Sequence, residues 1–245
     1  MFKTISKKIL VLFSSFLLIG TSGFQHVENN IFNNNPEIVV NAHRNLSSIE
    51  KSVRNAAVKV KREDGSYGSG TLLRIKNVTV VVTAAHVVGD FKKFELIGQS
   101  NEIIKGTVIY KYDKKDIAFI LPEKIMTSRK PMEFKPINRR KNQVGNRITY
   151  TGFPNEHNLL TIRGSIAGYD HEEDVLLIQS FAWMGSSGSG VFDLSGRFIG
   201  VVSAIDVGVA YYPQLIETMV WISPSWNVSE SVILDKIKNK DENKK

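Results

Sequence analysis

The chain has 245 residues, with 32 Lys and Arg against 24 Asp and Glu and no cysteine. The length suits one domain of two halves. Without cysteine neither a disulfide nor a lipoprotein cysteine can form, so the fold must hold by its core alone. The formal charge of +8 comes with no nucleic-acid motif, and no nucleic-acid partner is expected.

At the N-terminus, Lys3, Lys7 and Lys8 precede the apolar run Ile9–Gly20 and the small residues Thr21-Ser22-Gly23. This order reads as a secretory signal peptide over 1–23. The run is short for a spanning helix, which needs about 20 apolar residues. The expected location is therefore secreted or extracytoplasmic, with an uncleaved N-terminal membrane anchor as the alternative. Removing the segment takes away three Lys and no acidic residue, so the formal charge falls from +8 to +5. Residues 24–44 are rich in Asn and poor in apolar side chains, which predicts a mobile lead segment. Ser47-Ser48-Ile49-Glu50 is a capping box opening a short helix with Ile49 and Val53 on one face.

From Ala56 onward, short β-rich runs recur. They are Ala57–Val60, Gly70–Ile75, Val78–Thr83, Phe94–Ile97, Ile103–Tyr110 and Ile117–Leu121. Residues 123–143 are polar, carry Pro131 and Pro136, and read as a connection. Strands resume at Arg147–Thr151, Leu159–Ala167, Val175–Ser180, Gly190–Asp193, Phe198–Ala204 and Thr218–Ile222. About six strands on each side of a linker predict an all-β fold of two six-stranded antiparallel β-barrels, about 53–122 and 144–225, with a short helix at either end. Asn227-Val228-Ser229-Glu230 can cap the last helix, with Val228, Val232 and Ile237 on one side. The folded domain is thus expected over 45–238, followed by a basic tail over 239–245. The Lys residues there read as a solvated end, with weak attraction to an anionic cell surface as the secondary reading.

Chemistry is concentrated in Trp183-Met184-Gly185-Ser186-Ser187-Gly188-Ser189-Gly190. Small residues there permit a tight turn and bring amide groups close to a bound atom. Ser187, between Gly185 and Gly188, is placed as such a turn displays a nucleophile beside backbone donors. A hydroxyl needs a base, and the base needs an orienting partner. His86 lies at the end of Val78–Val82, in Thr83-Ala84-Ala85-His86-Val87-Val88. Asp116 opens the run Asp116-Ile117-Ala118-Phe119-Ile120-Leu121. Asp113 competes with it but sits in the polar stretch Lys111–Lys115 and reads as a turn residue. Ser186 and Ser189 are the competing hydroxyls. His157 and His171 lie in polar loops and are expected at the surface. No paired His spacing suggests a metal, and no cofactor is expected.

These segments resemble the His, Asp and Ser motifs of the chymotrypsin-like (trypsin-fold) serine proteases, the bacterial HtrA/Deg-type branch above all. The resemblance runs through GSGTLLRIKNVTVVVTAAHVV, KKDIAFILP and IQSFAWMGSSGSGVFDLSGRFIGVVSAI, and spans about Val53 to Ser225. It implies a secreted serine endopeptidase with a His86–Asp116–Ser187 triad and an oxyanion hole of the Gly185 and Ser187 N–H groups. Ser186 replaces the usual Asp or Asn before the nucleophile. Ser189-Gly190 replaces Gly-Pro, and bacterial glutamyl endopeptidases also carry Ser at the first of these positions. HtrA-type enzymes have a helix before the first strand, so Ile38-Val39-Val40 is not expected to act as an N-terminal activation switch. No PDZ domain is expected after the last helix. HtrA relatives are often trimers; the apolar-poor N-terminal segment favours a monomer here, with a trimer as the alternative.

By the same resemblance the pocket for the P1 side chain is walled by Phe181, Ala182 and Met184 on one side and Val202, Ser203, Ala204 and Ile205 on the other. Phe181 stands where an acidic residue would select Arg or Lys, and Val202 where glutamyl endopeptidases have His. Ile205 stands where wide pockets have Gly. Small or medium apolar P1 residues are the expectation, with protein or peptide as substrate. The alternative is a catalytically silent member of the fold that binds a peptide or cell-surface ligand.

Overall fold

A computed structural model describes residues 45–138, 143–209 and 213–242. The expected signal peptide and lead segment, 1–44, lie outside the described residues. Helix α1, Ser48–Ala56, starts at the capping box read from the sequence. The Ser47 side chain accepts from the Glu50 N–H, and the Glu50 carboxylate accepts from the Ser47 N–H at 2.7 Å. Val53 and Ala56 are buried beneath it, and the chain passes directly into the first strand.

Runs of Val, Ile and Thr then form strands because branched side chains pack well on a pleated, half-buried surface. They are β1 (Ala57–Lys61), β2 (Tyr67–Ile75), β3 (Val78–Thr83), β4 (Lys93–Ile97), β5 (Ile103–Tyr112) and β6 (Ile117–Pro122). Pairing in the order β1-β4-β5-β6-β3-β2, with β1 also paired to β2, closes an antiparallel barrel. Helix α2, Ala85–Val88, is a single turn between β3 and β4. Leu72, Val81, Leu96, Ile104 and Ile120 share one face of the sheet and are fully buried, and Phe119 is buried on the other face.

The second barrel consists of β8 (Arg147–Gly152), β9 (Leu160–Asp170), β10 (Val175–Gln179), β11 (Gly190–Asp193), β12 (Phe198–Val209) and β13 (Pro213–Pro224). Its closed order is β10-β13-β12-β11-β8-β9. Tyr150, Ile166, Ile178, Val191, Val220 and Ile222 form its core. The two six-stranded antiparallel barrels are those expected from the sequence.

Three details differ. The expected polar linker is not a free connection. It contributes a short strand β7, Met132–Glu133, parallel to β2, and buries Met126, Met132, Phe134 and Ile137. The last hairpin is longer than its apolar runs suggested, because β12 and β13 pair from Gly200–Pro224 out to Val209–Pro213. The closing helix α3 spans Glu230–Glu242, so it takes in four residues of the expected tail. It buries Ile233 and Ile237 in the first barrel's core cluster, beside Val228 just before the helix, while Val232 is 38% exposed. Ile233, not Val232, faces inward: Val228 is extended and precedes the helix, so the buried face is set by Ile233 and Ile237, four residues apart.

Candidate active site

His86 is carried on α2 directly after β3. Its backbone N–H donates to Asp116 Oδ1 at 2.9 Å, and its Nδ1 lies 2.9 Å from Oδ2 and 3.0 Å from Oδ1. A carboxylate only accepts, so Nδ1 carries the proton and Nε2 presents a lone pair. Asp116 reaches this position from a left-handed backbone (φ 44°, ψ 48°) between the turn 113–115 and β6. That conformation costs less for Asp than for most residues. Asp113 points elsewhere and pairs with Lys111 at 2.9 Å. The α2 turn is fastened by Arg62, which donates through Nε to Val87 O and through Nη2 to His86 O, both at 2.6 Å. Ser203, placed in the P1 pocket wall by resemblance, has a different contact: its hydroxyl donates to Asp116 Oδ2.

The nucleophile loop is pressed against the same segment. A Cβ built on Gly68 would sit 2.6 Å from a Val87 methyl and 3.1 Å from Ser187 O, so both segments close on this glycine. A Cβ on Gly188 would sit 3.0 Å from Ala84 N. His86 and Asp116 touch, and the Ser187 main chain lies close to the α2 turn that carries His86. Among the described residues the Ser187 hydroxyl makes no hydrogen bond to His86; in unliganded sites this contact is often long and tightens with substrate.

Within the loop, nearly every polar backbone group is committed. Ser186 N–H donates to Trp183 O at 2.8 Å, closing a turn with Gly185 at φ +92°. Such a φ favours glycine. Met184 O accepts from Asn155 N–H at 2.6 Å, Gly185 O from the Ser69 hydroxyl at 2.6 Å, Ser186 O from Ser189 N–H at 3.1 Å and Ser187 O from Ser69 N–H at 2.8 Å. Gly188 N–H donates to Val202 O at 2.8 Å. Among the described residues, the N–H groups from 185 to 189 without a protein acceptor are those of Gly185 and Ser187. A trans peptide points its N–H opposite to its carbonyl. With Met184 O and Ser186 O held, both free N–H groups are directed away from those partners.

Behind the loop stands Tyr150, fully buried on β8. Its hydroxyl donates to Phe181 O, and burial pushes its pKa up. Ser186 is buried and accepts from Trp183 N–H at 3.2 Å, so it is a structural hydroxyl and not a displayed one. Ser189 is fully buried as well. Of the expected pocket wall, Phe181 and Met184 are 42% and 49% exposed, whereas Ala182 and Val202 belong to the second barrel's core. Ala204 is exposed and Ile205 half-buried against that core. His157 and His171 are at the surface, as expected. Ser69, Arg62, Tyr150 and Asn155 were not foreseen as site residues; only Ser69, inside the Gly-Ser-Gly motif, had a signal pointing to it.

A model of the trypsin-like peptidase domain matches residues 68–201, more than half of the chain, and takes in His86, Asp116 and Ser187. The chain belongs to the trypsin-like peptidase domain family. This peptidase is a serine endopeptidase by that membership. Solved structures with the same fold include the serine endoprotease from Yersinia pestis, 19% identical with a TM-score of 0.60 over 80% of this chain and 68% of that one. Two inactive-form structures of Rv3671c of M. tuberculosis also match. One is 18% identical with a TM-score of 0.59 over 84% of this chain and 94% of that one. The other is 19% identical with a TM-score of 0.57 over 78% and 91%. At these identities the likeness is one of fold. No curated protein sequence matches the chain.

Proposed function

We propose that this peptidase is exported and cleaves peptide bonds through an acyl-enzyme on Ser187. His86 Nε2 takes the hydroxyl proton as Ser187 Oγ attacks the scissile carbonyl. Asp116 holds the imidazole tautomer and stabilises the imidazolium. The Gly185 and Ser187 N–H groups receive the negative charge on the carbonyl oxygen. His86 then gives its proton to the leaving amine, and water releases the acyl group by the same steps in reverse order. The observation that carries this reading is the pair of unspent N–H groups on either side of a committed backbone, next to the Asp116–His86 contact.

The substrate proposed is a polypeptide with a small or medium apolar P1 residue such as Val, Ala or Leu. The reading is supported by Phe181, Val202 and Ile205 at the wall positions, none of them charged. Export rests on the signal-peptide pattern of residues 1–23; N-terminal sequencing of the protein recovered from culture medium tests it. A silent, peptide-binding member of the fold is the second reading, favoured by the missing Ser187–His86 hydrogen bond.

Labelling with a fluorophosphonate probe separates the two. Wild type is expected to label and Ser187→Ala to lose both labelling and hydrolysis; an unlabelled, folded wild type would overturn the peptidase mechanism. A cleavage profile dominated by Arg, Lys or Glu at P1 would overturn the specificity.

A further inference from the structure

We propose that Ser69 is a positioning residue that keeps the oxyanion donors formed in the resting enzyme. The inference rests on the mechanism above and adds how its donor turn is held. Ser69 lies on β2 of the first barrel and is fully buried. Its N–H donates to Ser187 O at 2.8 Å. Its hydroxyl donates to Gly185 O at 2.6 Å and accepts from Phe153 N–H at 2.9 Å. Its own carbonyl accepts from the Thr83 hydroxyl at 2.7 Å, three residues before His86.

The direction of each bond follows from the donor inventory. A serine hydroxyl has one proton and two lone pairs. The Phe153 N–H occupies a lone pair, and the carbonyl of Gly185 can only accept, so the proton goes to Gly185. One side chain thereby joins two pieces of main chain. The first is the turn 183–186, through Gly185 O. The second is the 153–155 segment, whose Asn155 N–H holds Met184 O and so sets the orientation of the 184–185 peptide. That peptide carries the Gly185 donor. Asn155 itself stands at φ +48°, a left-handed conformation that Asn adopts more readily than most residues.

Removing the hydroxyl leaves Gly185 O and Phe153 N–H unpaired in a buried site. Neither group belongs to the 184–185 peptide, but the turn 183–186 and the 153–155 segment that together orient it lose their common anchor, and the peptide is then free to rotate. Rotation would carry the Met184 carbonyl to where the Gly185 N–H now points, and the oxyanion would meet an acceptor instead of a donor. Ser69 therefore does its part without touching substrate.

The test compares wild type, Ser69→Ala, Ser69→Cys and Ser187→Ala on a peptide substrate and a peptide boronate inhibitor. Ser69→Ala is expected to lower kcat by about 10²–10³, the usual cost of losing one oxyanion donor, with KM within about threefold. The boronate Ki should weaken in parallel with kcat/KM. The downfield proton resonance of His86 Nδ1 should persist, because Asp116 is untouched. Ser69→Cys, with a weak donor of similar shape, should fall between, and it carries the same criteria if the alanine variant fails to fold. A folded Ser69→Ala or Ser69→Cys enzyme with wild-type kcat, or one whose KM rises while kcat and the boronate Ki stay, overturns the proposal alone. A folded wild type that neither hydrolyses peptide nor differs from Ser187→Ala overturns the peptidase reading beneath it.

Discussion

Ser203 on the second barrel donates its hydroxyl to Asp116 on the first, 87 residues away. The carboxylate that orients His86 is thus held from both halves of the molecule. Removing a hydrogen bond to a charged, partly buried group costs about 1.5–3 kcal/mol. Ser203→Ala is accordingly expected to lower kcat/KM by about tenfold or more. Asp116→Asn should lower it by about 10⁴, because an amide can present its N–H to Nδ1 and impose the wrong tautomer. Steady-state kinetics on both variants check this. Equal losses would mean that Ser203 has a role beyond Asp116.

Gly185 stands at φ +92°, and a Cβ there would lie 3.0 Å from the Tyr67 ring and closer still to Phe153 O. Gly185→Ala is expected to lose at least a hundredfold in the rate of fluorophosphonate labelling while the fold is kept. A circular dichroism melt run beside the labelling assay separates loss of the turn from loss of the protein. Labelling at the wild-type rate would show that the turn does not need this conformation.

Tyr150 reaches through the second barrel to Phe181 O. Tyr150→Phe keeps the ring and removes the buried donor, at an expected cost of about 1–3 kcal/mol in stability. Since Phe181 lies just before the nucleophile turn, kcat should fall with the melting temperature. Urea denaturation alongside kinetics reports both, and an unchanged kcat in a destabilised variant would confine Tyr150 to the core.

Glu50 on α1 pairs with Arg163 on β9, 113 residues away. Hydrogen bonds from the Arg163 guanidinium first, and from Ser47 next, pull the Glu50 pKa from 4.5 down to about 2. A depressed carboxylate stabilises the fold fully above its unfolded value and loses that contribution as pH falls towards its folded one. Between about pH 4.5 and 2 the wild type should therefore lose stability more steeply than Glu50→Gln. Above pH 5 the variant should be the less stable by about 1–3 kcal/mol. Denaturant midpoints measured across this range decide it; parallel curves would show the pair to contribute nothing specific.

Local order alone marked the twelve barrel strands, the α1 capping box and the three motifs holding His86, Asp116 and Ser187. Alternation of side chains, turn residues and helix caps are short-range properties, set by neighbours a few positions apart, so they can be read along the chain. What only tertiary structure decided lies between distant segments. Ser69 meets Gly185 across 116 residues, and Ser203 and Tyr150 find their acceptors in loops distant along the chain. Val232 and Ile233 are equally apolar, and the barrel beneath α3 picks the second. A hydroxyl has no periodicity to betray its partner; which carbonyl it serves depends on how two closed sheets pack, and that packing sets the direction of the two amides beside Ser187.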